Sequence, residues 1–197
     1  MPIGRESGMP DVAYWETFFD PDCILHSLGV RRETQSIAEF GCGYGTFTIP
    51  AARVVSGIVS TFDIDPEMVD FTTRRAKNLS LRNIVATKRD FMNDGTGLPD
   101  QAVDFVMLFN LLHVEDPQSL LAESKRILRT NGNVGIIHWR SDIATPRGPS
   151  LSIRPTIEDC RRWGENVGLS YNQEHVFACC NWHWGLTMSN TSRLTLQ

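Results

Sequence analysis

The sequence predicts an α/β fold: a doubly wound, mostly parallel sheet of seven strands with an antiparallel hairpin near the C-terminus. Three observations lead there. Short apolar runs alternate with helix-start signals along the chain, the order of strand–helix–strand units. The run Val103–Phe109, VDFVMLF, is apolar at all but one position, as suits a strand covered on both faces. Two late strand-like runs, residues 170–178 and 183–189, follow each other with no helix between them, so they should pair antiparallel.

Taken in order, residues 14–28 form an amphipathic stretch in which Asp20-Pro21 can restart a helix as cap and first position. A strand follows at 36–40, a helix at 46–55, and a second strand at 57–63. Asp65-Pro66 opens a helix reaching about residue 78. A third strand covers about 83–88, before a loop holding Asp94-Gly95, Gly97 and Pro99-Asp100. After strand 103–109, Asp116-Pro117 caps a helix ending at Asn131-Gly132, and 133–139 is the fifth strand. Residues 140–155 read as a long loop, and Thr156 with Asp159 forms an acidic capping box for a helix to about 167.

The chain of 197 residues reads as one domain, with residues 1–30 as a helical cap and loop 140–155 bordering a pocket. With 41% hydrophobic and 21% charged residues and a net charge of −4, it has an ordinary globular composition. No apolar run approaches the roughly 20 residues of a membrane span. The first residues lack a secretory pattern, so a cytoplasmic location is expected. Five cysteines without paired metal-ligand spacing predict reduced, mostly buried thiols and no metal. The acidic balance disfavours nucleic acid as a partner.

The first strand runs straight into Gly41-Cys42-Gly43-Tyr44-Gly45. Glycines there let a ligand approach the backbone at the carboxyl end of a strand, where doubly wound sheets bind. Asp63, about 20 residues on and ending the next strand, can accept ribose hydroxyls. The pattern is G-x-G-x-G rather than G-x-G-x-x-G, and Glu39 precedes it by two positions. A carboxylate there repels a pyrophosphate and attracts an ammonium or sulfonium, so a cationic nucleoside is expected. An NAD-type oxidoreductase is the less favoured alternative.

These residues resemble the first motif of the class I S-adenosylmethionine-dependent methyltransferases. Thr61-Phe62-Asp63-Ile64-Asp65-Pro66-Glu67-Met68 is similar to the second motif, Lys88-Arg89-Asp90-Phe91 to the third, and residues 104–117, DFVMLFNLLHVEDP, to the fourth. The resemblance covers about residues 37–189 and implies a Rossmann-like sheet. It further implies S-adenosylmethionine as cofactor, with S-adenosylhomocysteine as product. Glu39, Gly41, Cys42, Gly43 and Tyr44 would lie at its amino-acid end. Asp63 would meet the ribose, Ile64, Asp90 and Phe91 the adenine, and Asn110 would sit beside the cofactor.

The chemistry so implied is an in-line methyl transfer helped by orientation and a site of low polarity. His113 and His138 are candidate bases, the favoured alternative for each being a hydrogen-bonded structural residue. Arg147 and Arg154, in the long loop, either bind an acidic substrate group or carry solvated charge. Tyr14 and Trp15 either shape the acceptor pocket or form a core-facing stripe. The fourth strand ends in Asn-Leu-Leu-His rather than the Asn/Asp-Pro-Pro-aromatic run of amino-methylating nucleic acid enzymes. A small-molecule acceptor is therefore expected, for a monomer or homodimer. A catalytically silent cofactor-binding module or partner subunit is the other reading.

Overall fold

A computed structural model describes residues 9–191. Residues 1–8, which include most of the stretch read for a leader and the start of the expected cap, lie outside it. Among the described residues the seven strands are β1 (Ser36–Phe40), β2 (Ile58–Asp63), β3 (Ile84–Lys88), β4 (Val103–Phe109), β5 (Leu128–Trp139), β6 (Ser170–Val176) and β7 (His183–Ser189). They lie in the order β3-β2-β1-β4-β5-β7-β6. The first five run parallel, and β7 is antiparallel to both β5 and β6. The winding reverses between β1 and β4, so the loops after these two strands open onto one crevice.

Among the described residues seven α-helices accompany the sheet: α1 (Val12–Glu16), α2 (Pro21–Ser27), α3 (Thr48–Val54), α4 (Pro66–Asn78), α5 (Phe91–Asp94), α6 (Pro117–Ile127) and α7 (Ile157–Asn166). The Asp-Pro pairs act as read: Asp20, Asp65 and Asp116 each accept a backbone N–H from the helix they open, with proline in its first turn. Thr156 and Asp159 close the capping box of α7.

The strand pattern explains the two helical layers. Phe105 and Met107 of β4 join Ile24, Leu25, Ala51 and Ala52 in one core, while Val106 and Leu108 join Leu120, Leu121 and Cys160 in the other. Alternate side chains leave a strand on opposite faces, so a run apolar throughout needs cover on both. Each such buried side chain contributes about 1.5–3 kcal/mol.

Three boundaries differ from the sequence reading. α6 stops at Ile127, because Leu128 turns extended and pairs with Val103; β5 therefore starts earlier and runs through Asn131 and Gly132. The loop after β3 begins with the short α5, capped by Asp90. β6 ends at Val176, which leaves Cys179 and Cys180 in the turn before β7 rather than in a strand.

The expectation of wholly reduced cysteines is also corrected. Cys23 of α2 and Cys179 form a disulfide, while Cys42, Cys160 and Cys180 are buried free thiols. The two partners are 156 residues apart and meet only because β7 returns beside β5. Among the described residues no helix is long and apolar enough to cross a membrane.

Candidate functional site

The turn after β1 is held by its neighbours rather than left open. Gly41 N–H and Cys42 N–H both donate to the Phe62 carbonyl, at 2.8 and 3.0 Å, and Gly43 N–H donates to Asp63 Oδ2 at 3.0 Å. The Thr72 hydroxyl of α4 donates to the Gly43 carbonyl at 2.9 Å. Gly41, Gly43 and Gly45 have φ of 78°, 48° and 73°, in the left-handed region. At Gly45 a Cβ would also fall 3.0 Å from the Thr72 hydroxyl oxygen, so both the turn and the close approach of α4 require glycine.

Glu39 lies beneath this turn, 3% exposed. Its Oε2 accepts hydroxyl hydrogens from Thr48 and, at 2.8 Å, from Thr61. Burial pushes its carboxyl up to about 7 against these two hydrogen bonds. Through these bonds the side chain braces β1 to β2 and α3. Burial, with Asp63 and Glu39 close by, pushes the Cys42 thiol far up, so it remains protonated.

Asp63 ends β2 with Oδ1 accepting from Asp65 N–H and Oδ2 from Gly43 N–H, both at 3.0 Å. Burial raises its carboxyl, and each oxygen retains a further lone pair for a hydroxyl donor. Ile64 is half-buried beside it. Asp90 caps α5 and accepts from Asn93 N–H at 3.2 Å and Asn93 Nδ2 at 2.8 Å. Phe91 packs edge-on against Phe40 with centroids 5.2 Å apart.

Asn110 carries two costs at once. Its φ is +58°, and its Oδ1 is buried without a hydrogen-bond partner. Left-handed backbone at a non-glycine residue and an unsatisfied amide oxygen each oppose folding, and such costs gather at working sites. Asn110 N–H is tied to the Ile137 carbonyl at 2.8 Å, and Leu111 packs over Gly41, so Asn110 stands beside the turn.

The N-terminal segment lies over the same crevice. The Tyr44 hydroxyl donates to the Pro10 carbonyl at 2.7 Å, and Arg75 joins the Glu16 carboxylate to the Tyr44 carbonyl. Trp15 packs into a ring cluster with Phe18, Phe19 and Trp139, whereas Tyr14 is largely exposed and touches Phe18 edge-on at 4.8 Å. His183 at the start of β7 lies 4.1 Å from the Trp139 ring, centroid to centroid, and its Nδ1 is 3.0 Å from Cys180 Sγ.

His113 and His138 come together, Nδ1 of the first 3.2 Å from Nε2 of the second. His138 is fully buried; that burial, with His113 adjacent, pushes it down to about 3, so it stays neutral. Arg154 departs from expectation. Its guanidinium donates to the carbonyls of Pro149, Arg140 and Arg147 at 2.7, 2.8 and 3.2 Å and so pins the long loop onto itself. Arg147 supplies one of those carbonyls.

Sequence reasoning did not find Thr48, Thr61 and Thr72, whose hydroxyls wire the turn, because threonines in strands and helices carry no motif signal. It also missed the Cys23–Cys179 pair, whose spacing gives no clue. The turn glycines, Asp63, Asp90 and Asn110 do gather on one edge of the sheet.

Comparison with known proteins agrees. Residues 37–132 match the family model described as a methyltransferase domain. The structure superposes on an S-adenosylmethionine-dependent methyltransferase from Aquifex aeolicus with a TM-score of 0.79 and 23% identity, covering 92% of this chain and 94% of that one. In sequence it is 31% identical over 117 residues to the demethylmenaquinone methyltransferase of Lactobacillus johnsonii, covering 57% of this chain and 45% of that protein. It is 32% identical over 175 residues to a 37.1 kDa protein of transposon TN4556 from Streptomyces fradiae, covering 82% of this chain and 47% of that protein. The chain spans about half the length of these curated relatives. Residues 37–132 are thus similar to a methyltransferase domain, and the chain shares the fold of the A. aeolicus protein.

Proposed function

We propose that this chain is an enzyme that transfers the methyl group of S-adenosylmethionine to a small-molecule acceptor by in-line displacement. The observation that carries this reading is Asn110: a strained backbone and an unpartnered, buried amide oxygen beside a glycine turn suit a ligand rather than a core. The donor set fits the cofactor. Gly41 and Gly43 leave space that a Cβ would narrow, the spare lone pairs of Asp63 suit ribose hydroxyls, and Asn110 Oδ1 suits an ammonium donor.

When bound, the cofactor supplies a methyl carbon on a sulfonium. Asp63 and the turn hold and orient, Trp15 and Trp139 exclude water, and His113 takes a proton from the acceptor where one must leave.

A cytoplasmic setting and a monomer or homodimer belong to the same reading. The Cys23–Cys179 disulfide pulls against that setting, since disulfides persist in oxidising compartments, and thiol alkylation in intact cells decides between them. The central test is calorimetry with S-adenosylmethionine followed by transfer of a labelled methyl to an acceptor panel that includes demethylmenaquinone, the acceptor in the name of the L. johnsonii relative. No heat of binding in the intact protein would sink the proposal.

A further inference from the structure

The two histidines fix each other's protons. A backbone carbonyl only accepts, so His138 Nδ1, 3.3 Å from the Trp139 carbonyl oxygen, carries the hydrogen of that contact. Neutral His138 then has a lone pair on Nε2. That lone pair faces His113 Nδ1 at 3.2 Å, and two lone pairs cannot form a hydrogen bond, so His113 Nδ1 is the donor.

We propose that His138 is a positioning residue, anchored on the Trp139 carbonyl, that holds His113 in its Nδ1–H tautomer and leaves His113 Nε2 as the basic nitrogen of the site. This rests on the reading that His113 receives the acceptor's proton. Trp184 supports the arrangement: it sits opposite His138 in the β5–β7 register and stacks on its ring, centroids 6.1 Å apart and planes 26° apart. The charged or titratable groups facing His138 are His113 from the β4–α6 connection, His183 from β7 and Arg154 from the long loop. None is a carboxylate, and burial with His113 and Arg154 outweighs the Trp139 carbonyl, the one group that favours a charged His138 ring.

The chain of donors also has an end. The acceptor's proton would move to His113 Nε2, and the resulting imidazolium would keep its Nδ1–H bond to His138. The Trp139 carbonyl takes no proton onward, so the charge stays on His113. In a Ser-His-Asp triad a carboxylate stabilises the imidazolium; here a neutral ring occupies that place, orients His113 and stabilises its charge less than a carboxylate would.

Nitrogen-15 NMR tests this without an acceptor. Two-bond proton–nitrogen correlations distinguish the tautomers of each imidazole, with His113→Gln assigning the signals. The expected wild-type result near neutral pH is Nδ1–H on both rings. His138→Phe fills the space without a lone pair and should release His113 to the Nε2–H form, while the amide oxygen of His138→Gln should restore Nδ1–H. His113 found as Nε2–H in the wild type, or unchanged in His138→Phe, overturns the proposal. If His138→Phe fails to fold, the wild-type spectrum alone decides on the same criterion. Calorimetry with S-adenosylmethionine on the wild-type sample separates the two readings, since the tautomers are fixed by protein contacts whether or not the cofactor reading holds.

Discussion

Asp63 Oδ2 accepts the Gly43 N–H at 3.0 Å, so the carboxylate expected to meet the ribose also clamps the turn expected to seat the amino-acid tail. Removing it should act on both ends of the ligand. Asp63→Ala is expected to weaken S-adenosylmethionine binding at least tenfold, about 1.4 kcal/mol, with Asp63→Asn intermediate. Titration calorimetry checks the order.

Asn110→Gly should separate stability from binding. Glycine accepts the φ of +58° and removes the unpartnered oxygen, so the variant should be at least as stable as wild type, with a gain of up to about 1 kcal/mol. Its affinity for S-adenosylmethionine should fall. Urea melts and calorimetry on one preparation would expose the opposite pattern.

Gly45→Ala and Gly29→Ala make a matched pair. Both have positive φ, 73° and 90°, but a Cβ at Gly29 meets nothing within 4 Å whereas at Gly45 it meets Thr72 at 3.0 Å. Backbone strain alone predicts a loss of about 1–2 kcal/mol at Gly29. Added crowding predicts about 2–4 kcal/mol at Gly45. Equal losses would mean that α4 yields freely.

Glu39 predicts a pH dependence with a defined sign. Its carboxyl titrates near 4.5 when unfolded and near 7 when folded, so across that window the folded state holds the proton that the unfolded state has lost. Its contribution is full below 4.5 and declines as pH rises through 7, by roughly 3 kcal/mol. Thermal melts of wild type minus Glu39→Gln, followed from pH 4 to pH 8, should show that decline; a flat difference would contradict it.

The disulfide is directly countable. Alkylation of the denatured, unreduced protein should label three cysteines, Cys42, Cys160 and Cys180. Cys23→Ser should lower stability by about 2–4 kcal/mol, read from chemical denaturation under non-reducing conditions. Labelling of all five would rule the bond out.

What was legible in the sequence was local. Asp-Pro caps, the Thr156 capping box and the apolar run of β4 each decide structure within a few residues, and they placed most elements correctly. The glycine turn, Asp63 and Asn110 could be placed at the carboxyl ends of β1, β2 and β4 because each directly ends or follows a legible strand. The role of Arg154 was not legible because sequence shows a charge but not the three carbonyls that use it. The bracing role of Glu39 was hidden for a similar reason: its distance from the turn was visible, but the two threonines that bond it come from β2 and α3. Likewise α6 looked longer than it is, since only pairing with Val103 pulls Leu128 into a strand.

The return of β7 beside β5 divides the molecule by sequence distance. The crevice rim from Glu39 to Asn110 comes from one continuous stretch, with one strand pair after another able to form as the chain lengthens. The wall of Trp15, Phe18, Trp139 and His183 joins the two ends of the chain and closes only when both are present. Contacts so far apart form late in folding.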